Sequence, residues 1–279
     1  MDTEVKSPSP MVFDKISRFW SEMANAHETQ KQVNFVEKHF ATDSLILDLA
    51  SGNGRHSTRL CQAGYEIVGL DISKSLLRIA AFKAVERNAD MSFINADMRF
   101  LPFRDRIFEG VLSLDTSIGY LPSDVEDLLV FAEVKRILNL GGKILIDVFN
   151  GNRTIKRYGT MKTSFRKFQF RVLRLFPFLC RFVKGHDYPS FRLFQIRRVD
   201  AKREVLSDSW LFCPRMDKKM TLVNHSVRLY TLSKLQNLLD KANLHIFSTY
   251  GGYEGEKYEK ESSRLIVVGI NDQKPKTYG

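Results

Sequence analysis

The stretch Leu45-Ile-Leu-Asp-Leu-Ala-Ser-Gly-Asn-Gly54 sets an acidic residue, Asp48, on a strand-like run and two glycines in the turn that follows. Glycines there let a ligand lie against the backbone, at the sheet edge where open α/β folds bind ligands. Asp71 closes the next apolar run, seventeen residues past Gly54, where a carboxylate can accept both hydroxyls of a ribose. Asp97 ends the third run, where a carboxylate can take an exocyclic amine such as that of adenine. Three carboxylates on consecutive strand ends form an acidic rim suited to a nucleoside with a cationic tail. A dinucleotide fits less well. Its fingerprint prefers a third glycine where Ser57 stands, and three acidic groups would serve a pyrophosphate poorly. Singly, each aspartate is more often a turn or cap residue, and Gly-x-Gly alone is weak. Their joint placement is what argues for a site.

The elements that must hold these residues read as alternating strands and helices. Val12 to Phe40 has helical spacing, with Phe13, Ile16, Phe19 and Trp20, then Val33, Phe35, Val36 and Phe40. Strands are predicted at Leu45–Leu49, Glu66–Leu70, Met91–Ala96, Gly110–Leu114 and Lys143–Phe149. Between them lie helices at Arg55–Gln62, after the cap Ser73, and after the capping box Ser123-Asp-Val-Glu126, the last running to Leu138 with Gly141 at its far end. Continuous apolar strands linked by helices indicate a parallel sheet covered on both faces. After Phe149 the alternation breaks. Phe191–Val199, Glu204–Phe212 and Met220–Tyr230 alternate apolar and polar residues, which predicts an antiparallel meander. The earlier pattern resumes with Thr231 as N-cap, a helix ended by Asn243, and strands at His245–Tyr250 and Ser263–Ile270.

In 279 residues, 43% are hydrophobic and 27% charged, which excludes disorder along most of the chain. No apolar run approaches the ~18–20 residues of a membrane-spanning helix. Residues 1–10 lack a charged n-region followed by an apolar one, so no secretory signal is read. Cys61, Cys180 and Cys213 are odd in number and widely spaced. A disulfide framework and a metal site are therefore not expected, and a cytoplasmic setting is the default. The net charge of +11 is concentrated: residues 151–205 carry fifteen Lys/Arg against Asp187, Asp200 and Glu204, while the rest of the chain is near neutral.

The stretches DLASGNG, VGLDIS, INADMRFLPF and FEGVLSLDTSIGYL, in this order, resemble the class I S-adenosylmethionine-dependent methyltransferases across residues 45–149. The closing segment from Tyr230 to Ile270 is similar to that family's last helix and two strands. The resemblance implies a Rossmann-like α/β fold: a seven-stranded, mostly parallel sheet with an antiparallel last strand, and S-adenosyl-L-methionine across the strand ends. It implies that Asp48, Ala50, Gly52 and Gly54 line the methionine portion, Asp71 and Ile72 the ribose, and Asp97 and Met98 the adenine, with Leu114 closing the pocket. The N-terminal helices, with Phe13 and Trp20, resemble a lid over the cofactor; Trp20 reads equally as a packing residue. The expected organisation is a tail (1–10), a cofactor-binding core with helical lid (11–150), a basic inserted α+β cap (151–230) between the fifth strand and the last helix, a completion of the core sheet (231–270) and a tail (271–279).

Transfer of a methyl from a sulfonium is an in-line displacement, so rate comes mainly from positioning the acceptor and excluding water. A general base is useful only where the acceptor arrives protonated. His225 and Tyr230 are the candidates for catalysis, and Arg228, Tyr250 and Tyr253 for acceptor binding. A lone histidine in a strand is more often structural, and Arg228 equally suits pairing with a carboxylate. The fourth strand ends in Leu-Asp-Thr-Ser117, unlike the Asn/Asp-Pro-Pro-aromatic motif of nucleic-acid amino-methyltransferases. A small-molecule or lipid/isoprenoid-like acceptor is therefore the expectation. The alternatives are an RNA methyltransferase using the basic 151–205 segment and a non-catalytic cofactor-binding regulator. In the insertion, Phe165, Phe168, Val172, Leu175, Phe176, Leu179, Phe182 and Val183 share one helical stripe opposite Lys167, Arg171, Arg174 and Arg181, with Pro177 interrupting. That stripe reads as a lid helix packed on the core, as a peripheral contact with an anionic membrane face, or as an RNA footprint.

Overall fold

The computed structural model describes residues 10–23, 26–159, 164–176, 179, 184–216 and 219–272. Most of both tails, and Pro177, Phe182 and Val183 of the stripe, lie outside them. The chain begins with helices α1 (Pro10–Met23) and α2 (Ala26–Glu37). Then come β1 (Leu45–Leu49), α3 (Arg55–Gln62), β2 (Glu66–Asp71), α4 (Lys74–Glu86), β3 (Ser92–Asn95), β4 (Phe108–Ser113), α5 (Asp124–Ile137) and β5 (Leu138–Phe149). The insertion holds α6 (Gly151–Tyr158), α7 (Ser164–Leu175), β6 (His186–Asp187), β7 (Phe191–Asp200), β8 (Val205–Pro214) and β9 (Thr221–Arg228). Helix α8 (Leu232–Lys241), β10 (His245–Tyr250) and β11 (Arg264–Ile270) complete the core.

Seven strands form one sheet in the order β10-β11-β5-β4-β1-β2-β3, with β1 to β5 mutually parallel and β11 antiparallel to both neighbours. Because successive side chains point to opposite faces, the continuous apolar strands feed two cores. On one face Leu47, Leu49, Val111 and Val267 pack with Val130, Phe131 and Val134 of α5 and Leu235, Leu238 and Leu239 of α8. On the other Ile46, Leu112, Leu145 and Ile266 pack with Val33, Phe35 and Val36 of α2 and Leu60 of α3. The reversal of strand order between β1 and β4 puts a crevice at the carboxyl edge, where open sheets of this kind bind ligands.

Local signals fix several helix starts. Ser73, Ser123 and Thr231 each stand in extended backbone and accept a hydrogen bond from the amide three residues on. Asn243 takes the left-handed conformation (φ 56°) that ends α8. Two expectations are corrected. Strand β5 starts at Leu138 rather than Lys143, because Leu138 pairs with Phe108 in β4 and Gly141 donates to the Asn271 carbonyl. The segment Gly151–Tyr158, not predicted as an element, is helical.

The inserted cap is a four-stranded antiparallel sheet, β6-β7-β8-β9. Its inner face, with Phe191, Leu193, Trp210, Phe212 and Val223, receives Ile16 and Phe19 of α1. Its outer face, with Phe194, Leu211 and Cys213, receives Leu173 of α7. Asp14 ties α1 to the core, accepting from the Ser73 hydroxyl at 2.6 Å and the Ser75 amide at 3.2 Å at the start of α4. Among the described residues no helix is long and apolar enough to cross a membrane.

Candidate functional site

A cavity of about 380 Å³ opens at the carboxyl ends of β1, β2, β3 and β4, within the range of small-ligand sites. Its floor is the turn after β1. Ala50, Gly52 and Gly54 all have positive φ (62°, 56° and 70°), so the backbone coils tightly and Gly52 stays bare. A Cβ added at Gly54 would lie 2.9 Å from the Ala80 Cβ and 3.0 Å from the Phe93 ring, so only glycine fits there. Asp71 fastens this turn: its Oδ2 accepts from the Gly52 amide and its Oδ1 from the Ser73 amide, each at 2.8 Å. Ser51 is among the residues lining the cavity, and its buried hydroxyl, without a hydrogen-bond partner, lies toward Gly69 of β2.

Asp48, Ala50, Gly52, Asp71, Ile72, Asp97, Met98, Leu114 and Trp20 all line this one cavity, while Gly54 shapes it from behind. The rim is less acidic than its residue types imply. Burial pushes the Asp48 carboxyl up to about 6, against the opposing pull of the Ser57 hydroxyl bonded to it. Asp97 is chelated by Arg99, whose Nη2 stands 2.6 Å from Oδ2, and this holds its carboxyl below the usual range. Arg99 in turn reaches Glu126 of α5 at 2.6 Å. Phe13 and Trp20, seven residues apart and so on one face of α1, roof the cavity, their rings edge-on at 5.8 Å.

The loop after β4 forms the remaining wall. Asp115 and Thr116 are successive non-glycine residues with positive φ (57° and 64°), a strained pair held by specific contacts. Their amides donate to Asp147 Oδ2 and to the Asp147 carbonyl, each at 2.9 Å. Arg264 bonds both Asp147 (2.6 Å) and the Thr116 hydroxyl (2.7 Å). Arg55 reaches Asp115 at 2.7 Å and the Thr29 hydroxyl at 2.7 Å. Tyr120 lines the cavity and presents its ring to Phe13 at 5.5 Å and to His225 at 6.0 Å.

The five acceptor-side candidates are not brought together. His225 is buried one ring behind Tyr120, on the inner face of the cap. The register places Arg197, Asp208 and His225 in one row across β7, β8 and β9. Arg197 chelates Asp208 (Nη2 to Oδ2 at 2.8 Å), and His225 Nε2 lies 3.9 Å from the same oxygen. Burial lowers the His225 pKa, which keeps the imidazole neutral, and its Nδ1 has no hydrogen-bond partner. Tyr230 is buried away from the cavity lining, its hydroxyl without a hydrogen-bond partner. Arg228 bonds Asp124, Asp127 and the Leu121 carbonyl, so its contacts match the ion-pairing reading. Tyr250 packs edge-on against Phe35 at 5.1 Å and bonds His39, and Tyr253 accepts from Gln32 at 3.1 Å beside a separate, smaller cavity. Sequence reasoning did not single out Arg55, Asp115, Thr116 or Tyr120. The signal available for them was position: all follow strands at the carboxyl edge.

A sequence model described as a methyltransferase domain matches residues 46–142, which hold every residue lining this cavity except Phe13 and Trp20. The fold agrees over a far longer span: the CcbJ methyltransferase of Streptomyces caelestis superposes with a TM-score of 0.75 at 14% identity, covering 95% of this chain and all of that one. The chain thus carries a segment similar to a methyltransferase domain within a fold shared with a solved methyltransferase. An S-adenosylmethionine-dependent methyltransferase of Clostridium acetobutylicum superposes with a TM-score of 0.71 at 19% identity, covering 94% of this chain and 97% of that one. The demethylmenaquinone methyltransferase of Thermus thermophilus is 33% identical over 144 residues, 50% of this chain and 60% of that protein. The Bacillus subtilis protein YqeM is 29% identical over 138 residues, 50% of this chain and 56% of that protein. The chain thus spans little more than half the length of these curated relatives. Helices α1 and α2 and the segment from α6 to β9 lie outside residues 46–142. The residues around the cavity fit S-adenosyl-L-methionine: bare backbone at Gly52, and carboxylates for hydroxyls and an ammonium.

Proposed function

We propose that this chain transfers a methyl group from S-adenosylmethionine to a small-molecule or lipid-like acceptor. The observation that carries the reading is the division of one cavity into two unlike ends. The core side offers carboxylates and open backbone. The cap side offers Phe13, Trp20 and Tyr120 with a neutral imidazole behind them. When bound, the cofactor supplies an electrophilic methyl for in-line displacement. Asp71 then accepts from the ribose hydroxyls through the lone pairs left by Gly52 and Ser73, and Ile72 packs beside the ribose. Asp97 and Met98 hold the adenine, Asp48 faces the cationic methionine portion, and Leu114 closes the apolar side.

The cap residues do the rest. Phe13 and Trp20 exclude water and confine the acceptor, the largest contribution available to a reaction that needs little covalent help. His225, off the cavity wall, backs the Tyr120 ring, with Asp208 and Arg197 holding the imidazole in register. A small acceptor is supported by a roofed, aromatic-lined space and by the likeness to a demethylmenaquinone methyltransferase. The test is incubation with methyl-labelled donor and cell extract, followed by partition of the label among small-molecule, lipid, RNA and protein fractions. Label in the first two is expected. Label confined to RNA or protein overturns the acceptor assignment, and donor binding without turnover on any fraction overturns the enzymatic one.

A further inference from the structure

Helix α7 is seated differently from its pattern. A lid helix would turn its aromatic and aliphatic stripe onto the core. Instead the helix is fastened by Leu173, which is fully buried against Phe194, Leu211 and Cys213 on the outer face of the cap sheet. At 100° per residue, Phe168 and Leu175 lie about 140° and 160° around the helix from Leu173. They are 64% and 74% exposed. Arg171 lies beside them at about 160° on the other flank, followed by Lys167 and Arg174 at about 120° and 100°, and all three are exposed. The helix contains no acidic residue. Two large apolar side chains and Arg171 therefore share the pole opposite Leu173, with Lys167 and Arg174 along one flank.

We propose that this outward face of α7 is a docking surface for an anionic lipid bilayer. Phe168 and Leu175 are the side chains that enter the interface, and Lys167, Arg171 and Arg174 are placed to pair with lipid phosphates at the headgroup level. Cations alone would suit any polyanion; paired exposed apolar groups gain only where there is hydrocarbon to enter. The rest of the insertion adds charge of the same sign, with fifteen Lys/Arg against three acidic residues in 151–205. The cap sheet separates α7 from α1, so docking leaves the roof of the cavity uncovered by lipid. This surface does not depend on the methyl-transfer reading and is tested without it.

The full chain is mixed with phosphatidylcholine vesicles containing about one-third phosphatidylglycerol and floated on a density gradient, with pure phosphatidylcholine vesicles as the comparison. Flotation with the anionic vesicles alone is expected, weakening as salt is raised. Charge reversal at Lys167, Arg171 and Arg174 lowers partitioning about a hundredfold or more. The double variant Phe168→Ser/Leu175→Ser also lowers it, while leaving binding to polyuridylate unchanged. Because every substituted side chain is exposed, melting temperatures stay close to that of the parent. Phe168→Trp keeps the apolar group and reports on it, its emission shifting to the blue on addition of anionic vesicles. Absence of flotation by the parent chain at low salt overturns the proposal. So does flotation that survives the double serine variant with no blue shift from Phe168→Trp, which would mark a purely electrostatic surface of the kind RNA binds.

Discussion

Asp71 carries two duties, and their separation tests the cofactor assignment. In the fold its carboxylate accepts from the Gly52 and Ser73 amides at 2.8 Å, holding the turn after β1 against the start of α4. On the proposed assignment it also accepts from two ribose hydroxyls. Hydrogen bonds to a charged acceptor contribute about 1.5–3 kcal/mol each. Loss of both therefore weakens donor binding by about 3 kcal/mol or more, at least a hundredfold in Kd. Asp71→Ala also strands two amides, costing stability by about 1–3 kcal/mol for each that stays buried. Asp71→Asn retains one acceptor oxygen, so it weakens binding less than Asp71→Ala and holds the turn better. Titration calorimetry with S-adenosylmethionine gives the affinities, and thermal melts of the unliganded variants give the stability loss separately. If a folded Asp71→Ala or Asp71→Asn protein binds the donor with parental affinity, the ribose contact does not exist and the placement of the cofactor falls with it.

Burial raises Asp48 from its ordinary value of 3.8 to about 6, so the charged form is disfavoured in the fold. Stability from this group is present below pH 4 and declines by roughly 3 kcal/mol as pH rises through about 6. A cationic ligand prefers the carboxylate, so donor affinity at pH 5 falls about tenfold relative to pH 7.5; Asp48→Asn abolishes that slope, and a flat profile in the parent refutes the contact. Arg228→Ala leaves Asp127, a carboxylate with 1% side-chain exposure, without its cation and destabilises by about 3–5 kcal/mol; chemical denaturation measures it, and a loss under 1 kcal/mol shows that the pair carries little. His225 stands off the cavity wall, so His225→Gln leaves donor affinity unchanged and lowers turnover of whichever fraction accepts label by less than about a hundredfold. A larger loss would assign it the acceptor's proton and refute the backing role.

What the sequence disclosed follows the range of the forces involved. Helix caps at Ser73, Ser123 and Thr231 and the left-handed stop at Asn243 are set by bonds within a few residues, and all four are where their residue types put them. Strand existence was legible from apolar runs, and the seven-stranded sheet with its antiparallel last strand followed from likeness to a known family. The start of β5 was not, because Leu138 joins the sheet through Phe108 and Gly141 through Asn271. The face that α7 buries was not either: its period was legible, but the choice of Leu173 as anchor is made by Phe194, Leu211 and Cys213 on another element. The acidic rim was read from residue types, and its partial neutralisation by Arg99 depends on rotamers no pattern encodes. Arg228 and Tyr253, read as acceptor ligands, are engaged by partners more than 100 positions away.

The wall between donor and acceptor shows why such distant partners matter. Asp115 and Thr116 both sit in left-handed backbone, which costs on the order of 1–3 kcal/mol per residue for side chains of this kind. A loop paying that penalty relaxes unless something over-determines it. Here Asp147, fully buried on β5, takes both amides, and Arg264 on the neighbouring strand β11 locks Asp147 and the Thr116 hydroxyl together. Removing one partner of a buried pair leaves the other charge stranded, so the two are retained or lost together. The consequence is positional. Leu114, Asp115, Thr116 and Ser117 all line the cavity, and the same strained turn carries the chain on to Tyr120, which stands between the cavity and His225. A rigid ion pair beneath the sheet edge thereby sets where the acceptor side of the site begins.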